Sequence, residues 1–211
     1  MPETAPRRVA RSLGLAVALS LGSALALAAL ANLAHADAPD PRNCTADDFM
    51  IAAPGGGFSF VVTLRDGANQ PINGATAVLD FNPAPGLLLC DDQDPDHDRR
   101  IVGTSGPTGA VTFVVRAGGS GAGTLNVVAA SFIIATVSVR TMDFDGDMDV
   151  DAADRAALAA LLGTAGPAGD FDDNGTVNAA DQAIFEQRFG GNCSLLDARA
   201  ATWGSLKNLY R

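Results

Sequence analysis

Histidine is almost missing from this chain of 211 residues: there are two, alongside three cysteines, one tryptophan and one tyrosine. With so few imidazoles and no Cys-x-x-Cys pair, the usual sulfur and nitrogen metal centres are excluded. Trp203 and Tyr210 both lie in the last nine residues, which leaves no aromatic platform for stacking sugars in the body of the chain. No recognisable catalytic motif is present. A glycosidase would need two carboxylates held across a cleft, and nothing singles out a pair for that work. Basic residues are scarce too, at 14 against 24 acidic ones. Such a balance excludes nucleic acid and anionic membrane as partners, because both require basic patches. A non-catalytic protein is the expectation.

The N-terminus departs from this acidic character. Arg7, Arg8 and Arg11 precede an apolar run from Leu13 to Leu33, and Ala34-His35-Ala36 offers small residues for cleavage. This order predicts a secretory signal peptide over residues 1–36, hence a secreted or cell-surface protein. The run is also long enough for an uncleaved membrane anchor. Cleavage after Ala36 would remove three Arg and one Glu, leaving 11 basic and 23 acidic side chains and a net charge of −12. Export favours disulfides, but Cys44, Cys90 and Cys193 are odd in number, so one is left over. The expected pair is Cys44 with Cys90, which flank the first strands of one domain; Cys44 with Cys193 is the alternative.

After a linker or first strand at 37–57, residues 58–140 consist of short runs rich in Val, Thr, Phe and Ile. They are 58–64, 75–81, 87–90, 110–116, 124–128 and 132–139, separated by Gly, Pro, Asn and Asp. Short, evenly spaced strands with turn signals between them predict an antiparallel sandwich. Phe60, Phe81 and Phe113 are spaced as its core. The turns at 65–76 and 104–113 resemble connections of bacterial Ig-like modules. One loop stands apart, with Asp92, Asp94, Asp96 and Asp98 alternating. Pro95 interrupts it and Arg99-Arg100 can neutralise it, so it reads as a solvated loop rather than a third cation site.

The richest signal follows. Asp143, Asp145, Asp147, Asp149, Asp151 and Asp154 form one twelve-residue loop; Asp170, Asp172, Asn174, Thr176, Asn178 and Asp181 form another. Oxygen side chains at positions 1, 3, 5, 9 and 12 match the ligand spacing of a calcium loop, and position 7 contributes its backbone carbonyl. Acidic turns are common, but turn chemistry alone does not demand the same alternation twice. At position 6, where the turn prefers Gly, the second loop has Gly175 and the first has Met148.

The two loops, the Ala-Ala pair inside each, and the apolar segments ending at Gly163 and Gly190 resemble the dockerin family over residues 143–190. The position-12 residues are Asp rather than the Glu usual in EF-hands, and a strand-like run rather than a helix precedes the first loop. The resemblance implies a small all-α module of duplicated calcium loop and helix over 141–193, with about two Ca2+ ions and a tail at 194–211. It further implies docking of the Ig-like domain onto a cohesin-type receptor. The family's recognition positions fall on Ala152-Ala153 and Ala179-Ala180, where hydroxyl pairs are usual, so the implied contact is apolar. A calcium-stabilised structural or adhesive protein without such a receptor is the rival reading. A role accessory to polysaccharide degradation is a second rival, by association with the family.

Overall fold

Alternation of apolar and polar residues decides which segments become strands and which way each faces. In Ser59–Thr63, Phe60 and Val62 are buried while their neighbours are not; in Thr76–Asp80 the buried pair is Ala77 and Leu79. A side-chain period of two sends alternate residues to opposite faces, so each such strand has one core face. The computed structural model describes residues 38–119 and 122–193. The expected signal segment at 1–36 and the tail at 194–211 lie outside the described residues.

Ten strands are formed among the described residues: β1 (Thr45–Ala46), β2 (Phe49–Ala52), β3 (Ser59–Thr63), β4 (Thr76–Asp80), β5 (Leu88–Leu89), β6 (Arg100–Thr104), β7 (Ala110–Val114), β8 (Ala117–Gly118), β9 (Ala122–Ala129) and β10 (Phe132–Thr141). They assemble as a three-stranded sheet in the order β1-β3-β7, a five-stranded sheet β2-β10-β9-β4-β6, and a two-stranded ribbon β5-β8. All pairings are antiparallel except β2 with β10. Side chains from the two larger sheets share one core, in which Phe60, Val62, Leu79, Phe81, Phe113, Leu125, Val127 and Val139 are buried. Phe60, Phe81 and Phe113 thus occupy the core positions expected of them. Burying each such side chain is worth about 1.5–3 kcal/mol.

The all-α C-terminal module is not what forms. The described chain is mostly β, and residues 141–193 contribute only two short helices, α1 (Ala152–Leu161) and α2 (Ala179–Glu186). The reason is local. Each acidic loop has two residues at positive φ, which breaks any helix, and each helix is followed by a left-handed glycine, Gly163 (φ 81°) or Gly190 (φ 82°). Strand β10 also runs to Thr141, two residues before the first loop begins.

This segment has its own apolar centre, built from Met142, Val150, Leu158, Phe171, Val177 and Phe185. Ala53 belongs to the same cluster, and Ile51 and Phe58 pack against it. The sandwich therefore supplies one wall of the second core. Polar contacts reinforce the junction: Arg116 donates to the carbonyls of Pro54, Asn192 and Cys193, and Arg188 donates to the Gly57 carbonyl.

The expected Cys44–Cys90 bond is absent. Cys90 is joined to Cys193, with Cα atoms 5.3 Å apart, and Cys44 is a buried free thiol. The Cys44 sulfur faces the Arg65 backbone, exchanging hydrogen bonds of 3.4 Å with its N–H and carbonyl. Cys90 instead pairs through its backbone with Arg116, at the end of the sandwich where the C-terminal segment returns. Proximity in sequence said nothing about which end of a strand each sulfur would occupy.

Candidate metal centre

Each acidic loop folds around its own first and last carboxylates. In the first, Asp143 Oδ1 accepts the Gly146 N–H at 2.6 Å and Oδ2 accepts the Met148 N–H at 2.9 Å. Asp154 closes the other side, accepting from Phe144 at 2.6 Å and from Asp151 at 2.8 Å. The second loop repeats the scheme 27 residues on (Asp143 and Asp170, Gly163 and Gly190). Asp170 accepts from Asn174 at 3.1 Å and Gly175 at 3.0 Å, and Asp181 accepts from Phe171 at 2.6 Å and Asn178 at 2.8 Å. Position 9 has a second duty: Asp151 and Asn178 are the N-caps of α1 and α2, accepting from Ala153 and Ala180 at 2.6 and 2.7 Å. Position 12 is the third residue of each helix and completes a reciprocal capping box.

These bonds bring the carboxylates together. Asp143, Asp145 and Asp147 place one oxygen each within 4.8 Å of the others; so do Asp149, Asp151 and Asp154, and so do Asp170, Asp172 and Asp181. Asp143, Asp154, Asp170 and Asp181 are buried. Clusters of this kind could hold a metal ion. The first loop fits a cation on a further ground: Asp149 Oδ1 is buried with no hydrogen-bond donor. No Lys or Arg pairs with this loop among the described residues. Its electrostatics express the crowding. The carboxyls of Asp145 and Asp149 are pushed above the ordinary range by desolvation first and then by Asp147 and other carboxylates of the loop. Asp154 is raised by burial and by Asp143, against the lowering effect of its backbone donors. Asn174, Thr176 and Asn178 lie along the second loop at the predicted positions; Asn174 and Thr176 are exposed, Asn178 is half-buried.

The two halves are tied reciprocally. Val150, at position 8 of the first loop, donates to the Gly191 carbonyl at 2.8 Å and accepts from Gly190 N–H at 2.7 Å, beyond the end of α2. Val177, at position 8 of the second, donates to Thr164 at 2.9 Å and accepts from Gly163 at 2.8 Å, beyond the end of α1. Each loop is thus clasped by the other half's helix end. Phe144 and Phe171, both at position 2, meet edge to face at 6.5 Å between centroids. Arg155 on α1 forms a bidentate pair with Glu186 on α2 at 2.7 and 2.5 Å, and lies 3.7 Å over the Phe189 ring.

The backbone turns sharply at two positions of each loop. Met148 has φ 70°, as its placement at position 6 required, and Gly175 has φ 88°. Position 4 is also left-handed, at Gly146 (φ 85°) and Asp173 (φ 60°), which the sequence reading missed. The signal was present as Gly146 in the first loop, but Asp173 masks it in the second.

Ala152, Ala153, Ala179 and Ala180 are all exposed at the helix N-termini. The Asp91–Asp98 loop does not converge. Asp92 pairs with Arg116 at 2.5 Å, Asp94 is buried and accepts the Arg99 N–H, and Asp98 accepts the Arg100 N–H. The Arg99 side chain turns away to the carbonyls of Phe81, Ala84 and Leu87, so local neutralisation comes from Arg116 instead. No protein-family model matches the chain, and no curated protein is similar to it at a significant level.

Proposed function

We propose that the paired loops bind calcium, one ion each, and that the calcium-ordered pair docks an exported, non-catalytic Ig-like domain onto a cohesin-type protein receptor. The observation carrying this reading is the convergence of carboxylates in both of two loops that clasp each other, at positions 1, 3 and 5 and at 7, 9 and 12 in the first and at positions 1, 3 and 12 in the second. Calcium suits the donor set, since a hard cation takes six to eight oxygens and the loops offer carboxylates, amides and carbonyls with no sulfur or imidazole. Asp143, Asp145, Asp147, Asp151 and Asp154 would hold one ion with the Asp149 carbonyl; Asp170, Asp172, Asn174, Asn178 and Asp181 would hold the other with the Thr176 carbonyl. The dockerin-like spacing and the exposed Ala152-Ala153 and Ala179-Ala180 pairs support docking through the helix N-termini, by close apolar approach.

A second reading is favoured by the junction. The Cys90–Cys193 bond and the Arg116 and Arg188 contacts bind the loops to the sandwich, as expected of a surface protein that uses calcium only for rigidity. Calcium titration of the full chain followed by a pull-down against cohesin domains separates the two. Capture that is abolished by chelator and by A153R with A180R supports docking. Calcium binding with no capture by any cohesin supports the structural reading. Identical melting curves in calcium and chelator would sink both.

A further inference from the structure

The first aspartates of the two loops are held from outside the repeat by donors of unequal charge. Asp143 Oδ2 accepts the N–H of Gly119, a neutral group of the sandwich, at 2.9 Å. Asp170 meets a cation. Arg140, the penultimate residue of β10, donates from Nη1 to the Asp170 carbonyl and from Nη2 to Asp173 Oδ1, and its Nη1 stands 3.9 Å from Asp170 Oδ2. Its side chain is 6% exposed and lies 4.3 Å over the Phe49 ring, with Nε buried and lacking a hydrogen-bond partner among the described residues. A guanidinium is kept in so dry a place only if its charge is met. The second loop meets it.

We propose that Arg140 is a built-in counter-charge for the second loop, keeping that loop closed on the sandwich without metal and leaving the first loop as the half whose order depends on metal. This rests on reading the loops as calcium-binding. The hydrogen bonds of Arg140 go to a position-1 carbonyl and the position-4 side chain, and it stands 3.9 Å from the position-1 carboxylate, so it occupies none of the hydrogen-bonding directions of the ligand oxygens. It therefore acts as a positioning residue and stays in place when an ion enters. Among the described residues the first loop has six carboxylates, no Lys or Arg partner, and a buried oxygen without a donor, so its repulsion is unrelieved until a cation arrives. Falling calcium would then release the face at Ala152-Ala153 before the one at Ala179-Ala180.

The test is amide hydrogen exchange on the full chain, comparing the equivalent N–H groups of Met148 and Gly175. Both donate to the first aspartate of their loop, at 2.9 and 3.0 Å. In chelator, Gly175 should exchange roughly tenfold more slowly than Met148, the scale of a hydrogen bond to a charged group. R140M should remove the difference; saturating calcium should slow both amides. Equal rates in the unmodified chain, or an unchanged Gly175 rate in R140M, would overturn the proposal. Should R140M fail to fold, D173N decides. It removes only a half-exposed carboxylate, and an unaltered Gly175 rate in chelator again overturns the idea. If calcium slows neither amide, the calcium reading fails, while the comparison in chelator still settles the part played by Arg140.

Discussion

The two acidic loops share a backbone and differ in how they sustain it. Each needs two left-handed residues, and each has one glycine for the two places. In the first loop the glycine is Gly146 and the exception is Met148; in the second the exception is Asp173 and the glycine is Gly175. The exceptions are unequal. Asp tolerates the left-handed region because its short polar side chain bonds locally, whereas Met has no such compensation and costs on the order of 1–2 kcal/mol. Charge repeats the lesson, since Asp173 meets Arg140 and the first loop has no Lys or Arg partner among the described residues. A duplicated motif can therefore keep its backbone course while its two copies sustain that backbone and balance its charge by different means.

Breaking the Cys90–Cys193 bond should test this difference most severely. The bond spans a separation of 103 residues, and its loss should cost about 2–5 kcal/mol. Cys193 N–H bonds the Met148 carbonyl, and Gly190 and Gly191 clasp Val150. A C90S/C193S variant, in melting and calcium titration, should accordingly lose affinity at the first loop more than at the second. An equal loss at both would show that the disulfide acts on the fold as a whole.

Replacing the first aspartates comes next. D143A strands three backbone donors, from Gly119, Gly146 and Met148, whereas D170A strands that of Gly175 alone, because the Asn174 N–H also reaches Asp172 Oδ1. Unsatisfied buried groups cost about 1–3 kcal/mol each, so D143A should lower the melting point further. Calorimetry should show one calcium equivalent lost in either variant. The surviving site should weaken too, through the clasps at Val150 and Val177; full-strength binding there would show independent halves.

M148G should act in the opposite direction. Relief of left-handed strain, less the added freedom of glycine in the unfolded chain, should leave a gain of about 0.5–1 kcal/mol. Calcium should bind the first loop a few-fold more tightly. G175M is the mirror experiment and should weaken the second loop. Equal and negligible effects from both would remove strain from the comparison.

The smallest effect concerns pH. Asp145, Asp149 and Asp154 have raised carboxyl pKa values in the folded, metal-free loop, so the folded state holds protons that the unfolded state releases. Their contribution favours the fold below the ordinary carboxylate range and is lost as pH rises through the raised values. Melting in chelator should therefore improve modestly on acidification in that window. Calcium should flatten the profile, since the ion takes the place of the protons. A flat profile in chelator would mean that the crowding is relieved by other means.

Much of the site could be read along the chain because its logic is local. Oxygens at fixed intervals, a cap residue before each Ala-Ala pair and a glycine after each helix act within twelve to twenty residues of one another. The strands at 59–63, 76–80 and 110–114 were legible for the same reason, through alternation around Phe60, Ala77 and Phe113. Strands β1, β2, β6 and β8 were not. Three of them are two or four residues long, too short to express a period, and β6 alternates only between exposed and half-buried, with Gly103 rather than an apolar side chain facing Val111 and Phe113.

From the sequence alone came the acidic repeat, its 27-residue spacing and the strand-rich middle. These follow from residue type and short-range geometry. Tertiary structure alone decided that Cys193 rather than Cys44 bonds Cys90, that Arg140 meets Asp170 and Asp173, and that Ala53 and Phe58 wall the second core. It also replaced the expected all-α module with two short helices seated against a sheet. Those outcomes depend on which end of the sandwich each segment reaches. That is set by the packing of all the strands together, and no local pattern encodes it.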